Sequence, residues 1–260
     1  METDEVLTLL RDVAQEVINP RFQALSAHEV SEKSPGDLVT VADHEAEVLI
    51  TEALLRAYPD ALVLGEEATA ADPRLLDRYG AAEHAFTVDP VDGTKNFVHG
   101  SLDHAVMVAE LRRGEVVRSW IWQPQHEIAY VAERGAGAWR NGERLVRPPL
   151  GADLRGVTSR RSWIGNALGT LRALDITWVC CGVDYPHVVE GAADYALYWV
   201  AKPWDHAPGS LLLSEAGGYV GTFAGGPYRP QDAMPRGLVA AADRSSYELV
   251  QGLVGSLPGR

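Results

Sequence analysis

Three acidic clusters stand out by residue type and spacing: Gly65-Glu66-Glu67, Asp89-Pro90-Val91-Asp92-Gly93-Thr94 and Trp204-Asp205. The first two close short apolar runs, and the end of a rigid element is where a scaffold presents reactive groups. In the central cluster Pro90 fixes a turn, so that Asp89 and Asp92 can point to one side while the Val91 carbonyl stays available as a neutral oxygen donor. Hard divalent ions take such oxygens, and magnesium in particular accepts a few carboxylates, keeps several waters and completes its octahedron with phosphate. The Gly93 and Thr94 amides that follow suit a phosphate-accepting nest or helix N-terminus. Phosphate-ester hydrolysis is the chemistry this set fits. Taken singly, each cluster has a plainer reading: Glu66 and Glu67 as solvated loop acids, Asp92-Gly93 as a turn, and Asp205 as a helix N-cap.

The elements that must position these groups follow from apolar periodicity. Val6, Leu9, Leu10, Val13, Val17 and Ile18 predict an amphipathic helix within 4–25, interrupted by Pro20. Thr40 as N-cap, with Asp43 three positions on, opens a helix over about 41–58. Strands are expected at 61–64 and 85–88, the latter ending at Asp89, and antiparallel strands at 105–111, 116–122 and 128–132. The second half reads as a strand near 175–181, a helix near 186–193, a strand near 195–200 and a helix over about 206–216. In that last helix Asp205 is the expected N-cap, Pro208 lies in the first turn and Gly217 is the stop. The pattern divides the chain into an N-terminal α+β half, 1–147, carrying most metal ligands, and a C-terminal α/β half, 148–260, completing the site. Layered α and β elements are expected, not a simple doubly wound sheet.

With 260 residues, 46% hydrophobic content and a formal charge of −13, the chain is ordinary globular material. The acidic balance, without a basic patch, argues against a nucleic acid or an anionic membrane surface as main partner. No apolar stretch reaches the roughly 18 residues of a membrane span, and the N-terminus is acidic, so a cytoplasmic location is expected. The only cysteines, Cys180 and Cys181, are adjacent and read as buried thiols in a strand.

In their order along the chain, Gly36-Asp37-Leu38-Val39-Thr40-Val41-Ala42-Asp43, Gly65-Glu66-Glu67, Asp89 through Phe97, Gly135-Ala136-Gly137-Ala138 with Asn141-Gly142, and Trp204-Asp205-His206-Ala207 through Glu215-Ala216-Gly217-Gly218 resemble the inositol monophosphatase family of metal-dependent, lithium-sensitive phosphatases. That resemblance implies a layered α-β-α-β-α fold, a homodimer and two or three Mg²⁺ ions acting on a small phosphorylated metabolite. It assigns Glu66, Asp89 and the Val91 carbonyl to a first metal, Asp89, Asp92 and Asp205 to a second, and Glu66 to a third. Thr94, paired with Asp43, is implied to orient and activate the attacking water, with Glu66 contributing through its metal and no covalent enzyme intermediate.

At the substrate end the chain departs from the inositol pattern. Where the family has a Gly-Ser/Thr-Ala stretch it reads Gly182-Val183-Asp184-Tyr185, and Tyr198 stands in place of an acid seven positions before Asp205. A pocket built from Asp184, Tyr185, Tyr198 and Trp199 would favour a planar or cationic phosphate ester, histidinol phosphate being one example, over inositol phosphate. The other reading of the same departure is a non-catalytic metal- or metabolite-binding relative.

Overall fold

In the computed structural model, which describes residues 1–232 and 236–259, the chain begins with helix α1 (Thr3–Val13), continued by a π turn (Ala14–Ile18) and a 3₁₀ turn (Asn19–Arg21) at Pro20. A hairpin of β1 (Val30–Ser34) and β2 (Asp37–Thr40) leads into α2 (Val41–Ala57), whose N-cap is Thr40 with Asp43 completing the capping box. Then follow β3 (Leu62–Gly65), α3 (Glu66–Ala71), α4 (Leu75–Gly80), β4 (His84–Asp92) and α5 (Thr94–Val98). The strands β5 (Ala105–Arg112), β6 (Glu115–Gln123), β7 (Ile128–Glu133), β8 (Gly137–Arg140) and β9 (Glu143–Arg144) complete a seven-stranded sheet in sequential order β3 to β9, parallel only between β3 and β4.

The remainder builds a second, five-stranded sheet. Its elements are β10 (Gly156–Thr158), β11 (Asp175–Ile176), α6 (Cys181–Val189), β12 (Tyr195–Val200), α7 (Pro203–Glu215), β13 (Tyr219–Thr222), β14 (Arg236–Ala241) and α8 (Arg244–Leu253). The strand order is β11-β10-β12-β14-β13, parallel among the first three and antiparallel after β12.

Strand periodicity decides the layering. In β5, Ala105, Met107, Ala109 and Leu111 face one core while Val106 and Val108 face another, because alternate side chains leave a sheet on opposite sides. The first core is filled by α6 and α7, the second by α1 and α2, and burying each large apolar side chain stabilises by about 1.5–3 kcal/mol. The far side of the five-stranded sheet is covered by α8 through Tyr247 and Val250. Helices α1 and α2, the seven-stranded sheet, α6 and α7, the five-stranded sheet and α8 thus make the expected five-layer α-β-α-β-α stack.

Two local readings change. Only Asp175–Ile176 is strand in the 175–181 segment, and the next helix begins at Cys181, so Cys180 is its N-cap and neither cysteine lies in a strand. The reason is where the backbone donors go: the Trp178 and Gly182 N–H groups bond to the Asp184 and Asp92 carboxylates at 2.8 and 2.5 Å instead of to a ladder. The helix after β12 starts at Pro203, with Lys202 as N-cap. Proline suits that first position because its missing N–H would be unbonded there anyway. Asp205 is therefore an inner residue of the first turn and not a cap, and Pro208 falls in the second turn.

Candidate active site

The Pro90 turn sets the geometry of the central acids. In β4, Asp89 pairs with Met107 and Asp92 with Ala105, so three steps on one strand match two on the other. Pro90 offers no N–H to the ladder. Without that bulge Asp89 and Asp92, three apart, would leave the sheet on opposite faces; with it both carboxylates meet the charges of Glu66 and Asp205. Gly93 follows in a left-handed conformation, φ +80°, where a Cβ would fall 3.0 Å from that of Cys180, and α5 starts at the next residue.

Glu66 is the first residue of α3, directly after β3. The missing side chain of Gly65 admits the Glu47 carboxylate, whose oxygens would lie 2.4 and 2.5 Å from a Cβ there and accept the Glu67 and Ala68 N–H groups at 2.8 Å each. Glu47 thus satisfies donors at the N-terminus of the helix that carries Glu66. From the other half of the chain α7 contributes Asp205. Glu66, Asp89 and Asp205 each present a carboxylate oxygen within 4.8 Å of the others. Asp92 stands beside them, one of its oxygens committed to the Cys180 thiol at 2.9 Å and the Gly182 N–H.

This concentration of buried acid is electrostatically uncomfortable. Burial, with the Glu66 charge second, pushes Asp89 and Asp205 well above the ordinary carboxylate range, and burial pushes Asp92 up to about 6 against its bonds from Cys180 and Gly182. Glu66 goes the other way: burial opposes its charge, but the ammonium groups of Lys202 and Lys33 outweigh it and lower its pKa. Lys33 reaches from the β1–β2 hairpin to Glu66 and Glu67, 2.9 Å from each, and Lys202 lies 3.2 Å from Glu66. Asp89 Oδ1 is buried without a hydrogen-bond partner among the described residues. Convergent hard oxygens, surplus negative charge and an unbonded carboxylate oxygen fit a divalent cation of the magnesium type.

Thr94 and Asp43 meet as the sequence suggests. The Thr94 hydroxyl stands 3.0 Å from Asp43 Oδ1 and 2.9 Å from the Val91 carbonyl oxygen. Its single proton serves one of these acceptors at a time. Asp43 Oδ2 accepts from both the N–H and the hydroxyl of Thr40, at 2.9 and 2.5 Å. Thr40, expected only to cap α2, therefore also orients Asp43, whose pKa burial raises to about 7 despite those bonds.

Against the acids lies a cavity of about 590 Å³ whose wall includes Asp92, Cys180, Cys181, Tyr198, Trp199 and Asp205. The expected substrate contacts need correction here. Tyr185 is fully buried, stacked on Tyr198 with its hydroxyl 3.0 Å from His206 Nδ1, and is not part of the wall. Tyr198 touches the cavity but is only 2% exposed and donates to Asp184 at 3.3 Å. Asp184 also takes the Trp178 N–H, so its carboxylate is spent on holding the loop before α6, and burial raises its pKa well above normal. Asp184 nonetheless lines the cavity, as Val179, Cys180 and Cys181 do, whereas Gly182, Val183 and Tyr185 do not. Sequence reasoning also missed Lys33, Glu47 and the bond from Cys180 to Asp92. Lys202 had a signal, being three residues before Asp205, but Lys33 and Glu47 reach the site only through the fold.

The layer order, with an acid cluster between the two sheets, is that of a five-layer α/β phosphatase fold. The profile described as the Inositol monophosphatase family matches residues 2–257. Relatives include an inositol-1-monophosphatase of Mesorhizobium japonicum, 34% identical over 229 residues covering 83% of this chain and 82% of the relative. A Nus factor SuhB of Pseudomonas aeruginosa is 32% identical over 232 residues, 82% of each chain. An IMPase from Thermotoga maritima superposes with a TM-score of 0.80 at 26% identity, over 98% of this chain and 96% of that one. An IMPase/NADP phosphatase solved with Mg²⁺ and phosphate gives 0.79 at 21% identity, over 98% and 94%, a likeness of fold. The chain belongs to the inositol monophosphatase family.

Proposed function

We propose that this chain hydrolyses small phosphate monoesters with magnesium, using water as nucleophile. The observation that carries the reading is the convergence of Glu66, Asp89 and Asp205 oxygens beside Asp92, with Asp89 Oδ1 left unbonded. Glu66, Asp89 and the Val91 carbonyl would hold one ion, Asp89, Asp92 and Asp205 a second, and Glu66 a third. Such ions, when bound, supply positive charge to phosphoryl oxygens and make water more acidic.

The chain's own groups do the rest. Asp43, fixed by Thr40, accepts a proton through Thr94, and the Thr94 hydroxyl oxygen orients the attacking water. The Thr94 amide at the start of α5 serves a phosphate oxygen, whereas the Gly93 amide is turned toward the Asp92 carboxylate. Residues 1–147 supply every ligand but Asp205, so the site forms only when the 148–260 half docks.

Tyr198 offers no carboxylate for vicinal hydroxyls, and its own hydroxyl is bonded to Asp184. We therefore expect myo-inositol 1-phosphate to be turned over poorly and histidinol phosphate to be the better of the two. The test is phosphate release from both esters and from glycerol 2-phosphate with magnesium and with chelator. Magnesium-independent release, or none at all, overturns the reading. The name of the Pseudomonas relative favours a second reading, a protein that acts by binding, and metal uptake without release from any ester supports it. The homodimer implied by the family is read by sedimentation of the same sample.

A further inference from the structure

Trp199 and Val200 end β12 at the cavity, and they differ in kind from the acids that flank it. Val200 is 57% exposed and Val179, in the wall of the same cavity, 45% exposed, so the two put aliphatic surface together beside Trp199. Trp199 is half-buried and firmly backed. The Arg160 guanidinium lies 4.5 Å from its ring, and the buried Trp163 packs edge-on at 5.6 Å. Arg160 is itself held, donating to the Gly259 carbonyl at 2.6 Å and to Ser162 Oγ at 3.2 Å, and it lines the cavity beside Trp199. Of the acids in this wall, Asp184 is spent on Trp178 and Tyr198 and Asp92 and Asp205 belong to the acid cluster, which leaves the exposed Asp37 and Ser159 as the acceptors beside the apolar slot.

We propose that Trp199 is a rigid platform for a planar aromatic ring in the leaving group of the substrate, with Val179 and Val200 closing the slot beside it. The proposal rests on the phosphatase reading for the placement of the phosphate, but it assigns recognition to the wall beyond Tyr198. A flat ring stacks on an indole pinned by a cation, whereas a puckered ring of equal size gains only apolar contact.

The experiment compares 2-phenylethyl phosphate, 2-cyclohexylethyl phosphate and glycerol 2-phosphate as substrates in magnesium, and calorimetric binding of the two matching phosphonates. The aromatic ester should have the highest kcat/KM. Trp199→Ala should raise its KM by roughly tenfold with kcat little changed and glycerol 2-phosphate unaffected, while Trp199→Phe keeps the preference. If Trp199→Ala does not fold, the neutral change Val200→Asn on the exposed rim should weaken the aromatic ester alone. Turnover of all three esters without an aromatic preference, or a preference that survives both changes, overturns the proposal and leaves the phosphatase reading standing. No turnover, but tighter binding of the aromatic phosphonate that depends on Trp199, does the reverse; equal binding of the two phosphonates overturns the proposal there as well.

Discussion

Replacing Asp89 by Asn should make the metal-free chain more stable and the metal-responsive chain disappear. Asp89 is 1% exposed, has one carboxylate oxygen with no partner among the described residues and faces Glu66, Asp92 and Asp205. A buried polar group left unbonded costs about 1–3 kcal/mol, more when charged, and an amide removes the charge while giving the neighbouring carboxylates a donor. For a chain of this size each kcal/mol moves Tm by roughly 2–4 °C, so Asp89→Asn should melt about 2–12 °C higher than wild type in chelator. Magnesium at 100 times its Kd should stabilise the wild type by about 2.7 kcal/mol per site. Asp89→Asn should lose most of that gain and at least roughly 10²-fold in turnover. Thermal unfolding by circular dichroism across a magnesium titration reads both arms. If Asp89→Asn melts below the wild type in chelator and still shifts upward with magnesium, the acids are structural and the metal reasoning is wrong.

Thr94→Ala should lower turnover by about 10²–10⁴-fold, as expected for a positioned proton-transfer group. Thr40→Ala should lower it too, by less, because it frees Asp43 as well as uncapping α2; steady-state rates with wild-type activity in Thr40→Ala would show that Asp43 needs no such anchor. Metal-free stability should fall as pH rises: Asp43 and Glu47 are both raised to about 7, chiefly by burial, so the folded chain binds protons more tightly than the unfolded one. The loss from these two groups begins near about pH 4 and is complete above about pH 7. Asp89, Asp184 and Asp205, raised further by burial, continue it to higher pH, and a chelated Tm that is flat or rises between about pH 4 and about pH 7 contradicts it. Lys202→Met should tighten magnesium binding by roughly two- to tenfold, since the ammonium 3.2 Å from Glu66 competes with the ion for that carboxylate. Calorimetry showing unchanged or weaker binding would remove Lys202 from that role.

The sequence alone determined a good deal of this. The order of acids about Pro90, the Thr40 and Asp43 capping pair, the alternation in residues 105–132 and the helical stripe of α2 are local signals, decided within a few residues by turn geometry and side-chain periodicity. They sufficed for layered α and β elements and for the three acidic clusters, while the five-layer order and the assignment of the acids to metals came from the family resemblance those motifs carry. What only the tertiary structure decided are matters of approach between distant segments. Whether Asp205 caps a helix or faces inward depended on where Pro203 started α7. Whether residues 177–182 form a strand depended on the Asp92 and Asp184 carboxylates that take their N–H groups. Tyr185 looked like a pocket residue because a sequence carries no record of which side chains another layer covers, and Asp184, which does line the cavity, gave no sign that its carboxylate would be bonded to Trp178 and Tyr198. Lys33 and Glu47 were silent for the same reason: a lone lysine on a hairpin and a lone glutamate on a helix acquire meaning only when β3 brings Glu66 between them, a pairing set by packing across the chain and not by spacing along it.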